Sequence, residues 1–263
     1  MTDYHFSIYQ VFGDSKAKLK GNTAAVVELD LPISSGLMQN IARDFNQPAT
    51  SFIWKDKEKW SVRWYAPDGE IGLCGHGSLA AVAYLADRQN LEEPSLNYPG
   101  GQIRGKSINP NYCSISMDAI STQNHSEPEK ALRDGLGIKI KAHYKTDNKN
   151  LVVVENEDSV KNMSPNFQIL KMCSDFGFVV TAPGSQTDFV SRTLVPHVQQ
   201  LEDPATGSSH AILAPYWSKI LNKTKMAGLQ MSKRGGKFIC QLNNSRVILQ
   251  GEQKILVRGK LYI

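Results

Sequence analysis

Two stretches of this chain resemble each other, and that similarity constrains the fold more than any other feature. Residues 63–83 read RWYAPDGEIGLCGHGSLAAVA, and residues 192–214 read RTLVPHVQQLEDPATGSSHAILA. Each starts at an arginine at the end of an expected strand and has a proline four residues on. Each then crosses a variable loop, reaches a small-residue turn containing glycine, and enters a helix of small apolar residues. The copies lie about half a chain apart. One unit of this kind rarely buries a core alone, so the spacing predicts two related halves. Two unrelated strand–turn–helix pieces are the alternative.

The rest of the chain reads as strands with a few helices. YHFSIYQVF and AAVVEL read as strands joined by a loop rich in glycine and lysine. Ser34 or Ser35 caps a helix that places Leu37, Ile41 and Phe45 on one face. SFIW and WSVRWY follow as strands, and residues 87–112 hold strand fragments broken by Pro94, Pro99-Gly100-Gly101 and Pro110. The polar stretch STQNHSEPEK reads as a linker. A helix near 128–136, the strands LVVVE and FGFVVTA, the segment TDFVSRTLV and a helix near 208–221 come next. Two hairpins close the chain, with Asn243-Asn244 and Gly251-Glu252 as their turns. This order predicts an α+β fold with many antiparallel strands.

Composition narrows the function. The chain has 263 residues, 41% of them hydrophobic and 21% charged, as in ordinary globular proteins. It has no apolar run of about 18 residues, so no membrane span is expected. The start, MTDYHFSIYQVFGDS, lacks the pattern of a secretory signal. Cys74, Cys113, Cys173 and Cys240 are scattered without a C-x-x-C pair. That argues against a metal site or a disulfide framework and makes the cytoplasm the default compartment. The net charge of +5 reads as a solubilising excess of lysine. The dense basic stretch Ser232–Lys237 looks like a hairpin turn with too few aromatic neighbours to bind nucleic acid.

The two turns are where chemistry is expected. A helix N-terminus carries unpaired N–H groups and the positive end of the helix dipole, so it holds anions. Gly75, His76, Gly77 and Ser78 form one candidate carboxylate cradle, and Thr206, Gly207, Ser208 and Ser209 form another. The bland reading makes the Ser and Thr residues ordinary caps. His76 titrates near neutrality and can relay a proton. Asp203 can act as a base or orient His76, or it can be a turn aspartate bonded to its own loop. Cys74 can be an acid or base at a helix start, or a small buried apolar residue. His210, Arg63 and Arg192 read as structural.

These residues resemble a known family. GNTAAVV (21–27), RWYAPDGEIGLCGHGSLAA (63–81), SRTLVP…EDPATGSSHAILAPYW (191–217) and SKRGGKF (232–238) look like the PhzF-like proteins, the phenazine-biosynthesis isomerase family. The resemblance covers nearly the whole chain, in order. It implies the fold of diaminopimelate epimerase and proline racemase. That fold has two pseudo-symmetric halves, each a highly curved, mostly antiparallel sheet around a central helix, with the active site in the cleft between them. The expected halves are residues 1–118, completed by the C-terminal strand 253–263, and residues 119–252. The family is usually a homodimer and uses no metal or organic cofactor. The resemblance places His76, Asp203 and Ser208 in the site and has backbone N–H groups near Gly75 and Gly207 holding substrate oxygens.

One departure matters for the chemistry. Members usually carry N-L-S-E-T-T-F, whose glutamate shuttles the proton; here the segment is NQPATSF, with Ala49 at that position. Thr23 also replaces a usual proline. Two functions follow. The first is an isomerase or epimerase of a small carboxylate, with Cys74 and Asp203 taking over on opposite faces of the substrate. The second is a catalytically silent relative that binds a metabolite or a protein.

Overall fold

The computed structural model describes residues 3–263. The chain forms two compact units. One runs up to Met117 and includes Ile248–Ile263; the other is Asp118–Val247.

The first unit contains β1 (Asp3–Gly13), β2 (Asn22–Leu29), α1 (Ser35–Phe45), β3 (Thr50–Asp56), β4 (Lys59–Ala66), β5 (Gly69–Ile71), α2 (Gly75–Gln89), β6 (Ser95–Tyr98), β7 (Gly101–Asn109) and β8 (Tyr112–Asp118). The second contains α3 (Lys130–Leu136), β9 (Ile140–Tyr144), β10 (Asn150–Val154), α4 (Glu157–Asn162), α5 (Phe167–Leu170), β11 (Phe178–Pro183), β12 (Phe189–Val195), β13 (Leu201–Asp203), α6 (Gly207–Leu221), β14 (Lys225–Gln230) and β15 (Gly236–Asn243). The last strand, β16 (Arg246–Tyr262), supplies the first unit with residues from Ile248 onward.

In the first unit the strands run β1-β2-β3-β4-β6-β7-β8-β16, and β16 also pairs antiparallel with β1, which closes the sheet on itself. The β2–β3 and β4–β6 pairs are parallel; β1–β2, β3–β4, β6–β7 and β7–β8 are antiparallel. Closure suits α2, whose residues Gly75 to Leu85 are all buried. A helix that is apolar all round has to be enclosed. Its Ala80, Ala81 and Ala83 let the strands come close; at Gly105 of β7 a Cβ would lie 2.2 Å from a methyl of Val82. α1 differs. It is amphipathic, starts at Ser34, whose hydroxyl accepts from the Leu37 N–H, and ends at Asn46 in the left-handed region. Met38, Ile41 and Ala42 cover Val27, Leu29, Phe52 and Tyr65 of β2, β3 and β4. With helices on both faces, β2 reads as a nearly continuous apolar run.

The second unit repeats this plan. Its strands run β9-β10-β11-β12-β14-β15, with parallel β10–β11 and β12–β14 pairs. Gly207 to Ala214 of α6 are all buried, and the helix packs on β14 and β15. Leu132 and Leu136 of α3 and Leu170 of α5 join Val152, Phe178, Val180 and Leu194 in a second core.

The repeat holds residue by residue. Arg63 pairs across β3 with Phe52, and Arg192 pairs across β11 with Val180. Tyr65 faces Glu70 in the β4–β5 hairpin, and Leu194 faces Glu202 in the β12–β13 hairpin. Each hairpin is pinned by a two-pronged ion pair. Arg63 donates to both carboxylate oxygens of Glu70, each at 2.7 Å; Arg192 does the same to Glu202 at 2.7 and 2.8 Å. From either glutamate the helix starts five residues later, at Gly75 and at Gly207. Arg63 and Arg192 are therefore structural, as their position in the sequence repeat predicts.

One expected turn is absent. Gly251-Glu252 lies inside β16, which continues to Tyr262. The glycine serves close approach instead: a Cβ at Gly251 would lie 2.3 Å from the Phe12 ring. The other turn, Asn243-Asn244, is present, with Asn244 at positive φ.

The hydrogen bond from Arg63, aided by its charge, holds the Glu70 carboxyl below its usual value of 4.5. A lowered folded-state value means the pair stabilises the fold above the usual carboxylate range and loses that contribution as pH falls through the lowered value. Glu70→Gln is expected to cost up to roughly 1 kcal/mol at neutral pH, in the range of partly exposed ion pairs. The gap from wild type should shrink as pH falls below the usual carboxylate range in urea unfolding curves recorded from pH 7 to 2.5. A gap independent of pH would show that the charge is not what stabilises the hairpin.

Candidate active site

The same backbone geometry builds both helix starts. Cys74 caps α2 with φ −126° and ψ 101°; Thr206 caps α6 with φ −117° and ψ 106°. The side chains on this shared frame differ, and so do their hydrogen bonds.

At the start of α2, the Cys74 sulfur accepts the Gly77 N–H at 3.3 Å, doing the work of a capping oxygen. The sulfur also lies 3.6 and 3.7 Å from the two His76 ring nitrogens, so thiol and imidazole touch. Both are buried, at 3% and 6% exposure. The Ser78 amide and hydroxyl both donate to the Cys74 carbonyl, so both Ser78 donors are committed within the helix. Ser51 on β3 donates to the Gly77 carbonyl at 3.0 Å. Gly77 is walled in: a Cβ there would meet Trp64 at 2.7 Å, the Ser51 hydroxyl at 2.9 Å and the Cys74 sulfur at 3.0 Å. Gly75 and His76 precede the first intrahelical bond, from Ser78 to Cys74, which leaves their amides at the positive end of the dipole.

Ala49 sits two residues before Ser51, hence on the same side of the strand, and is fully buried. The neighbouring Thr50 hydroxyl and the Trp64 indole N–H are buried and find no hydrogen-bond partner among the described residues.

At the start of α6, Thr206 donates its hydroxyl proton to Asp203 at 2.7 Å, and its amide donates to Gln230 at 2.8 Å. Gln230, fully buried on β14, also donates to the Asp203 carbonyl and the Thr206 hydroxyl oxygen. Asp203 is thus half-buried and fixed by its own loop, as expected of a turn aspartate, with a carboxylate oriented by Thr206. Ser209 accepts from Thr193 at 3.0 Å. Ser208 accepts from the buried Lys149 ammonium at 2.9 Å. His210 donates from Nδ1 to the Thr206 carbonyl at 2.8 Å and stacks on Phe238 with ring centroids 3.5 Å apart. Burial pushes its pKa down to about 3, so it is a neutral core histidine.

Sequence reasoning missed Gln230 and Lys149. Gln230 sits in an apolar strand and Lys149 in a polar loop, and neither shows a motif. A depression of about 730 Å³ in the first unit, lined by Asp87, Lys106 and Ile255 among others, contains none of the candidate site residues. Among the described residues, no helix is long and apolar enough to cross a membrane.

The chain matches the family model described as phenazine biosynthesis-like protein over residues 9–261. An uncharacterized isomerase of Halalkalibacterium halodurans is 32% identical over 260 residues, covering 97% of this chain and 98% of the other. A PhzF-family phenazine biosynthesis protein from Enterococcus faecalis has a solved structure with TM-score 0.91 and 33% identity, with all of both chains covered. A hydroxyproline epimerase from Agrobacterium vitis, solved with bound trans-4-hydroxy-L-proline, has TM-score 0.66 and 9% identity, covering 98% of this chain and 92% of that one. At that identity only the fold is shared.

Two measurements check the local account. Gly77→Ala should cost about 1–3 kcal/mol in urea unfolding, because Trp64, Ser51 and Cys74 leave no space for a methyl group. His210→Asn, which keeps a donor for Thr206, should flatten the pH dependence of stability. With its folded value near 3, His210 stays neutral while the unfolded chain gains a proton below about 6.5. Wild type should therefore lose on the order of 1 kcal/mol per pH unit between pH 6 and 4 through this residue. Equal slopes in the two proteins would contradict it.

Proposed function

The chain belongs to the phenazine biosynthesis-like protein family, and from that premise we propose that it is an isomerase that moves a proton on a small carboxylate-bearing metabolite. The observation that carries this reading is the matched pair of helix starts, each bearing ionisable side chains within one turn of exposed dipole: Cys74 and His76 on α2, Asp203 beside α6.

In the proposed reaction, backbone N–H groups at a helix start, Gly75 or Gly207, donate to the substrate's carboxylate oxygens. One group removes the hydrogen on the carbon next to the carboxylate, and the electron pair moves into the carboxylate to give an enolate, held by the same N–H donors. A second group returns a proton to the opposite face or to a conjugated carbon, so atoms and charge balance. Asp203, oriented by Thr206, is the proposed carrier in one module. Cys74 and His76, in contact, share the role in the other. Gly77 and Ser78 contribute backbone shape, and Thr206 and Ser208 contribute hydroxyls.

A second reading has one specific observation behind it. Ala49 stands where the resemblance places a proton-shuttling glutamate, and a methyl group moves no proton. On this reading the protein binds a carboxylate without turning it over.

Incubation in D₂O separates the two. Trans-4-hydroxy-L-proline, other α-amino acids and α,β-unsaturated carboxylates are the probes, read by proton NMR and mass spectrometry. The isomerase reading expects deuterium at carbon in at least one probe, with the rate reduced about 10²–10⁴-fold in Asp203→Asn and in His76→Asn. Binding without incorporation supports the silent relative. Incorporation unchanged in both variants would remove these residues from the chemistry.

A further inference from the structure

The start of α2 carries Cys74 and His76; its other end borders the depression of about 730 Å³. The helix stops at Asn90, whose backbone is in the left-handed region, and its last turns form one wall. The wall lies roughly 20 Å along the helix axis from Cys74. The volume is in the range of small-molecule sites. The strands around it are irregular at this place. Ile108 of β7 is an extra residue between Ser107 and Asn109, which pair with the consecutive Cys113 and Tyr112 of β8. Leu256 of β16 is an extra residue between the partners of Ile8 and Tyr9. Bulges of this kind bend a strand and re-aim its side chains. On the helix side, Ala83 and Ala86 are too small to fill the space.

Tyr9 lines the depression and carries an orphan. The residue is 2% exposed, and its hydroxyl has no hydrogen-bond partner among the described residues. Neither has the hydroxyl of Ser7, fully buried two residues earlier on the same strand. A buried hydroxyl left unpaired costs free energy, which a ligand's hydrogen bond recovers. Burial, and after it the Asp87 carboxylate, raise the pKa of Tyr9, so the phenol is neutral and both gives and takes hydrogen bonds.

The lining decides the charge of what fits. Asp87 and Glu92 are offset by Lys106 and Lys254, and these are the charged residues of the lining. Asp87 is already paired with Arg258, and Lys106 with Glu93. The negative end of the α2 dipole disfavours an anion, while Lys254 and Arg258 disfavour a cation. What remains is hydrogen-bonding capacity beside the apolar Ile108 and Ile255. Asn90, Asn109 and Asn111 bring carboxamides to the lining. The Asn109 oxygen accepts the Asn111 backbone N–H at 2.9 Å, which leaves its NH₂ group to donate. A carboxamide is both donor and acceptor, which complements a hydroxyl.

We propose that this depression is a second ligand site, for an uncharged polyhydroxylated molecule the size of a mono- or disaccharide, with the Tyr9 hydroxyl and the carboxamides of Asn90, Asn109 and Asn111 as its hydrogen-bonding groups. The site is independent of the proton-transfer reading, because it shares no residue with the start of either helix.

Tyrosine-ring NMR and calorimetry on the full chain test this. D-Glucose and sucrose are the uncharged probes. D-Glucosamine and D-glucuronate offer the ring of glucose as a cation and an anion at about pH 6.5. In protein labelled with ¹³C on the tyrosine rings, the Tyr9 signal is assigned by its absence from Tyr9→Phe. It should move with at least one uncharged sugar and saturate in the millimolar range, and neither charged sugar should bind more tightly than glucose. Tyr9→Phe should weaken sugar binding about 2–10-fold, the range of one hydrogen bond. Ala86→Trp, which adds an indole at a half-buried position of the lining, should abolish it. Should Tyr9→Phe not fold, a tyrosine signal that responds to sugar in wild type and is unmoved in Ala86→Trp carries the test. No saturable shift with either uncharged sugar up to about 0.1 M would overturn the proposal. So would a charged sugar bound at least about tenfold more tightly than glucose, or a sugar affinity unchanged in either variant.

Discussion

A helix without a polar face has to be enclosed, and most of this structure follows from having two of them. α2 and α6 are buried through their first two turns and more, so neither can lie on a surface. Strands must come close around them, which is why the helices are rich in alanine and the facing strands carry glycine at Gly105 and Gly228. In the first unit the sheet closes through β16. Enclosure then decides where polar chemistry can go. The sides of each helix are occupied by core, and the N-terminus is the place where ionisable groups meet the positive end of the dipole.

The approach to that N-terminus is fixed before any functional residue is chosen. The Arg63–Glu70 and Arg192–Glu202 pairs clamp the hairpins that lead in, and the cap residues adopt nearly the same φ and ψ. On this frame the two units diverge by side-chain volume. Trp64 fills one unit and requires Gly77 opposite it; Thr193 in the equivalent place is small and bonds to Ser209. The N-cap residue is cysteine in one and threonine in the other: the Cys74 sulfur caps its own helix, whereas the Thr206 hydroxyl makes no cap bond and orients Asp203.

Sequence reasoning located these helix starts because the signal is local: arginine, proline, a glycine turn and a run of small residues lie within about twenty positions. It placed α1 from a serine cap and apolar spacing for the same reason. It failed at Gly251-Glu252, where a glycine that usually marks a turn serves instead to clear the ring of Phe12, a residue 239 positions earlier in the chain. It also read past the short helices α4 and α5 and the three-residue strands β5 and β13, which are too short to carry a period. Gln230 and Lys149 belong to the same class of miss. Each acts through a partner far along the chain, Thr206 or Ser208, and only the folded register brings them together.

Position 49 and its counterpart in the second unit show how one backbone register carries different side chains. Ala49 immediately precedes β3 and is a fully buried methyl group two residues before Ser51, whose hydroxyl donates to the Gly77 carbonyl at the start of α2. The corresponding backbone position in the other unit is Gly177, whose carbonyl accepts from the Asn150 amide as that of Ala49 accepts from Ala25, and the side chain that passes it, Lys149, comes from one strand over, with a positive charge. A carboxylate near a helix start would itself be the base. An ammonium at the start of α6 sets a fixed positive charge beside the positive end of that helix dipole, where α2 has a thiol touching an imidazole.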